Sequence, residues 1–222
     1  MRLIILGIDP GLAHTGWGVI ETRGAVSRAR AYGCVTTYAH EPIDQRLGKI
    51  FKEISEVIGS YHPSQLAIEK IFFGENERSA IATAQARGAA IVACAQGGLE
   101  VGEYTPMQIK QAVVGTGSAD KYQVIYMVRT VLKLDHDPHP DHAADALAAA
   151  VCHANLLRTQ ALTRRAADDE AMREADRAAL EARADAAREV TAAATAANIQ
   201  RDRDGKVAIA TRQSRISTRK AS

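Results

Sequence analysis

A run of aliphatic side chains, Leu3-Ile4-Ile5-Leu6 and then Ile8, stops at Asp9-Pro10-Gly11. Near-continuous aliphatics fit a strand buried on both faces, and Pro-Gly fits the tight turn that ends it. A strand of that kind needs helices over both sides of its sheet, which is an α/β arrangement. It also leaves Asp9 at the end of a core strand. A carboxylate there is costly unless a positive group or a cation faces it. Asp is also an ordinary turn residue, so Asp9 acquires meaning only if further acids converge on it.

The segments that follow supply a frame for such acids. Thr15 to Glu21 reads as a second strand, and Gly24 marks a hairpin into a third at about Arg28 to Thr37, so the sheet opens as a meander. From Ile43 to Tyr61 the residues Leu47, Ile50, Phe51, Ile54, Val57 and Ile58 recur at three and four, the period of an amphipathic helix. His62-Pro63 ends it. Leu66 to Phe72 is a strand pattern with Glu69 in its middle. A helical crossover allows this strand to lie parallel beside the first, which brings Glu69 near Asp9. An Ala-rich helix over about 76–96, a short strand over 101–105, and helices over 106–113 and 121–134 come next. Asp135-His136-Asp137-Pro138-His139-Pro140 is a polar lead-in to a final helix from Asp141 to about Leu157.

Beyond that point the material changes. Residues 1–157 hold 14 Lys and Arg against 16 Asp and Glu, whereas residues 158–222 hold 14 against 10 and no aromatic residue. We therefore divide the chain into a body, 1–157, and an Ala/Arg-rich C-terminal extension, 158–222. Residues 165–197 have helix propensity with little to pack, so a mobile helix is expected. Residues 201–222, with 7 Lys and Arg against 2 acids, read as a disordered basic arm able to touch nucleic acid. Cys34, Cys94 and Cys152 form no CxxC pair and fit reduced, buried thiols. No apolar stretch reaches the roughly 20 residues that span a bilayer, and the N-terminal run is too short for a signal peptide. The expectation is a soluble cytoplasmic protein with no membrane partner.

The final helix adds the missing acids. His142 and Asp145 are three apart and Asp141 and Asp145 four apart, so each pair can share a helix face. Asp141 also suits a helix N-terminus on dipole grounds, but Asp145 lies in the otherwise apolar run Ala143-Ala144-Asp145-Ala146-Leu147-Ala148. Asp9, Glu69, His142 and Asp145 thus converge as three acids and an imidazole. Like charges that close raise one another's pKa unless cations screen them. Oxygen ligands of this kind suit Mg²⁺ or Mn²⁺, and two such ions can clamp an in-line displacement at phosphorus. Metal-assisted phosphodiester hydrolysis is the reaction class.

The body carries the motifs Gly7-Ile8-Asp9-Pro10-Gly11 with Thr15-Gly16-Trp17-Gly18, Ala67-Ile68-Glu69, Gln85-Ala86-Arg87-Gly88, the run from Gln108-Ile109-Lys110-Gln111 through Val114-Gly115-Thr116-Gly117-Ser118-Ala119-Asp120-Lys121, and Ala144-Asp145-Ala146-Leu147-Ala148. In these motifs it resembles the RuvC family of crossover junction endodeoxyribonucleases. The resemblance implies a ribonuclease H-like fold with a mixed five-stranded sheet flanked by helices. It also implies a homodimer that recognises the four-way Holliday junction and nicks two strands symmetrically with two divalent ions per subunit, alongside the RuvA and RuvB branch-migration proteins. By motif position the catalytic and metal-binding residues are Asp9, Glu69, His142 and Asp145. His142 stands where many members have Asp, and Asp141, about 100° round the helix, is a supporting candidate. An imidazole ligand matches Mn²⁺ better than Mg²⁺. Lys110 and Lys121 match family lysines near the scissile phosphate, where they both bind DNA and stabilise developing charge. Phe72 matches an aromatic that stacks on bases at the crossover, with Phe73 or Arg78 assisting. Two rival readings fit the residues less well. Sugar-kinase and actin-like ATPases share the fold and an Asp-x-Gly turn, yet give Glu69 and Asp145 no role. A non-catalytic junction scaffold would lack one of the acids, and none is lacking.

Overall fold

The structure, a computed structural model, describes the backbone of residues 2–71 and 77–219 and the side chains of 2–71 and 80–195. The chain forms two compact units, Met1–Leu162 and Thr163–Ser222. In the first, strands β1 (Arg2–Asp9), β2 (His14–Arg23) and β3 (Val26–Thr36) form the expected meander. Helix α1 (Ile43–Tyr61) then crosses over to β4 (Gln65–Glu69), and α2 (Glu77–Gln96) crosses to β5 (Glu100–Tyr104). Helices α3 (Pro106–Val114), α4 (Lys121–Leu132) and α5 (Asp141–Arg219) follow. The sheet order is β3-β2-β1-β4-β5, with β4 parallel to both β1 and β5, so it is a mixed five-stranded sheet.

Alternation along the strands assigns each side chain to one of two cores. Leu6, Ile8, Val19, Leu66 and Ile68 pack under α1 and α2. Ile5, Ile20 and Ala67 pack under α3, α4 and the first turns of α5. Asp9 lies two residues beyond Gly7, and Glu69 two beyond Ala67, so both belong to the α5 face.

Helix α5 approaches that face more closely than side chains normally permit. A Cβ placed on Gly7 would lie 1.9 Å from the carbonyl oxygen of Ala146, and one on Gly16 would lie 1.9 Å from that of His142. Bare backbone on β1 and β2 is therefore the seat of the helix. Further along, His153 is 4% exposed and ties the same helix to the far strands. Its Nδ1 accepts from the Tyr104 hydroxyl at 2.5 Å, and its Nε2 donates to Gln65 Oε1 at 3.0 Å. Burial holds His153 below its usual pKa and pushes Tyr104 up to about 12, so both stay neutral in this contact.

Two expectations are corrected. Strand β4 ends at Glu69, not Phe72, so Glu69 stands at the strand's end and not in its middle. Its neighbours explain this: β1 turns away at Pro10 and β5 gives way to α3 at Pro106, which leaves nothing for a longer β4 to pair with. Helix α5 also does not stop near Leu157 but runs on to Arg219, through the stretch 201–219 expected to lack regular structure. Burial does end there, since Arg158 and the described side chains after it are exposed. Ala, Arg and Glu carry the helix on by propensity alone. Among the described residues no helix is long and apolar enough to cross a membrane.

Candidate active site

The site forms where β1 and β4 end beneath the first turn of α5. The parallel register pairs Ile8 with Ile68, so Asp9 and Glu69 are the next residues on adjacent strands. The turn after Asp9 is clamped by two threonines. The buried Thr15 hydroxyl donates to the Gly11 carbonyl at 2.7 Å, and the Thr37 hydroxyl donates to that of Leu12. Arg87, in α2, donates to the Glu69 carbonyl at 3.3 Å and pairs with Glu103, bracing the other strand end.

From α5, the seat at Gly16 fixes the His142 backbone, and Asp145 follows one turn later on the same face. His142 Nδ1 donates to Asp9 Oδ2 at 2.8 Å. Ligand atoms of Asp9, His142 and Asp145 all lie within 4.8 Å of one another, a spacing one divalent ion can bridge. Glu69 is not part of that tight trio, but it feels the charges of both Asp9 and Asp145.

Electrostatics shows what the protein itself leaves unbalanced. Burial, with the charges of Asp9 and Asp145, pushes Glu69 up to about 7, against which Lys110 pulls down. Burial and then Asp9 also raise Asp145, while Lys121 and His142 oppose the rise. Two carboxyls held above their ordinary range, beside a third, are a site short of positive charge. A cleft of about 280 Å³ opens beside them, with Glu69, Lys110, Lys121 and Asp145 around a floor that includes Ile109 and Ala148. Lys121 Nζ lies 2.8 Å from Asp141 and 3.8 Å from Asp145.

The residues expected from the sequence are thus largely brought together. Asp9, His142 and Asp145 form the trio, Glu69 flanks it, and Lys110 and Lys121 line the cleft. Asp141 supports Lys121 rather than His142. Phe72 and Phe73 lie outside the described residues, as does the side chain of Arg78. One neighbour was missed: the ring of His14 stacks on that of His142, with centroids 5.4 Å apart and planes 20° apart. The signal available for the helix seat was Gly16 and Gly18 alternating in β2, since glycine inside a strand marks a close backbone approach.

The chain is similar in sequence and fold to known proteins. The family model for "Crossover junction endodeoxyribonuclease RuvC" matches residues 5–153. The protein of that name from Desulforamulus reducens is 48% identical over 157 residues, covering 71% of this chain and 96% of its own. That from Clostridioides difficile is 49% identical over 153 residues, covering 69% and 90%. Among solved structures, Thermus thermophilus RuvC in complex with Holliday junction substrate superposes with a TM-score of 0.69 at 40% identity, over 71% of this chain and 96% of that one. The same protein on its own gives a TM-score of 0.67.

Proposed function

The chain belongs to the RuvC family of crossover junction endodeoxyribonucleases, and from that premise we propose that it resolves four-way DNA junctions by paired symmetric nicks, with Asp9, Glu69, His142 and Asp145 holding divalent ions. The observation that carries this reading is the trio of ligand atoms within 4.8 Å, placed beside a Glu69 that is itself in need of a cation. Two carboxylates and an imidazole are a donor set that fits Mn²⁺ or Mg²⁺, and the imidazole favours Mn²⁺. Two ions fit this reading, and Asp9, Glu69, His142 and Asp145 would hold them.

Bound ions supply the Lewis acidity that activates an attacking water and offsets charge on the leaving oxygen. The chain's own residues do the rest. Asp9 accepts the His142 proton and so fixes the orientation of the imidazole. Lys110 and Lys121 present ammonium groups to the cleft, where a phosphate carries its negative charge. The apolar floor lowers the local dielectric and strengthens these interactions. Paired nicks require two such sites, which is the role of a second copy of the chain. Phe72, Phe73 and Arg78 are the proposed contacts to bases at the crossover. RuvA and RuvB are the proposed partners in branch migration, and three cysteines without a disulfide support a cytoplasmic setting.

The test is incubation of the purified protein with a labelled four-way junction and a linear duplex of the same sequence, in Mn²⁺ or Mg²⁺, with Glu69→Gln as control. Symmetric nicks in the junction alone, lost in the variant, are expected. Junction binding without cleavage overturns the reading in favour of a scaffold.

A further inference from the structure

Among the described residues, Lys121 is the one cleft lysine that touches a carboxylate outside the proposed ligand set. Both ends of that contact start from fixed backbone. Lys121 opens α4 behind a capping box, in which the Asp120 carboxylate accepts from the Gln123 amide at 2.8 Å and Gln123 Oε1 accepts in return at 2.9 Å. Asp141 opens α5, whose first turn is closed by the Ala143 amide donating to the Pro140 carbonyl at 2.8 Å. Between them the lysine stem is flexible, with several rotatable bonds and a single charge at its tip. Two carboxylates restrain that tip, Asp141 at 2.8 Å and Asp145 at 3.8 Å.

These two restraints are not equivalent. Asp145 belongs to the trio of proposed ligands, whereas Asp141 does not. A carboxylate committed to a cation has less charge left for a neighbouring ammonium, so Asp141 is the restraint that persists in the loaded site.

We propose that Asp141 is a positioning residue that holds the Lys121 ammonium at the mouth of the cleft for the scissile phosphate. This rests on the reading of Lys121 as a residue that stabilises charge in the transition state. Asp141 acts on the reaction through Lys121 alone and holds no ion. Because both side chains are about half exposed, 49% for Lys121 and 57% for Asp141, the pair adds little to stability. Its contribution is to the population of one lysine rotamer.

The experiment is a double-mutant cycle on junction cleavage with Asp141→Asn, Lys121→Ala and the double variant, Asp141→Glu serving as the conservative replacement. Asp141→Asn is expected to lower kcat by about three- to tenfold with KM nearly unchanged, since the lysine acts on the transition state. Asp141→Glu restores most of that loss, and Asp141→Asn costs nothing further once Lys121 is Ala. A second readout needs no catalysis: in the metal-free protein, acylation of the Lys121 amine, followed by peptide mass spectrometry with Lys110 as internal reference, speeds up in Asp141→Asn. An undiminished Asp141→Asn loss in the Lys121→Ala background overturns the proposal, as does unchanged Lys121 acylation. Full activity of Lys121→Ala overturns the catalytic reading of the lysine itself, and the inference with it.

Discussion

The two ends of the central strands treat buried negative charge in opposite ways. At the Arg2 end, Glu21 is 7% exposed and meets the guanidinium groups of Arg2, Arg23 and Arg30 at 2.9, 2.8 and 2.9 Å. Its pKa falls below the ordinary value, led by the hydrogen bond from Arg23. At the Asp9 end, three carboxyls crowd together with two lysines, one of which is shared with Asp141. There Glu69 and Asp145 rise instead of falling. Where nothing has to bind, the sheet neutralises an acid with its own side chains. At the other end it leaves the deficit open, and that deficit is what the proposed cations would fill.

The contrast is broken most severely by removing an acid from the open end. Asp145→Asn is expected to lower junction nicking by on the order of a hundredfold or more while leaving junction binding in place, read by gel assays of cleavage and of complex formation. Loss of binding in step with cleavage would mean that Asp145 shapes the fold rather than the reaction.

Next in size is a stability effect. Glu69 in the folded, metal-free protein keeps its proton up to about 7, whereas its ordinary value is 4.5. The folded state therefore binds the proton more tightly, and stability falls as pH rises through that window. Glu69→Gln removes this burden, so the metal-free variant at pH 8 is expected to be more stable than the native chain by about 3 kcal/mol. At pH 4 the gain should vanish, which thermal melts at the two pH values will show.

A smaller effect concerns the identity of the ion. Nicking in Mn²⁺ should exceed that in Mg²⁺ by roughly several-fold, and His142→Asp should narrow the gap. Equal native rates in the two metals would show that the imidazole does not set metal preference.

The mildest change belongs to the balanced end, because its three arginines are about half exposed and solvent screens them. Glu21 has a lowered folded pKa, so its contribution is complete above 4.5 and is lost as pH falls below that value. The acid limb of the melting temperature should accordingly be shallower for Glu21→Gln.

Much of this was legible in the residues. Asp9, Glu69 and Asp145 could be named because acids in apolar runs stand out against their surroundings, and His142 because it stands three residues before Asp145. Parallel pairing of β1 and β4 followed from the helix between them. What could not be read were facts of distance. The Gly16 seat, the His14 ring over His142 and the Lys121–Asp141 pair each join residues far apart in the chain or on different elements. Helix α5 marks a different limit. Its dense apolar run ends near Leu157, which correctly marks where packing stops, but Ala and Arg sustain a helix without packing, so its end was misplaced.

The mounting of α5 also bears on how such a site can vary. The helix is fastened at Gly7 and Gly16, where its backbone rests on the sheet, and again at His153, about 10 Å beyond the Gly7 seat and about 16 Å beyond the Gly16 seat along its axis. A rod held at two separated points can neither slide nor roll. Position 142 then behaves as a socket with fixed coordinates, into which different side chains can be exchanged without realigning Asp9 or Asp145. Under the proposed ligand set, metal preference is adjustable there one residue at a time, while a Cβ at Gly7 shifts His142 and Asp145 together.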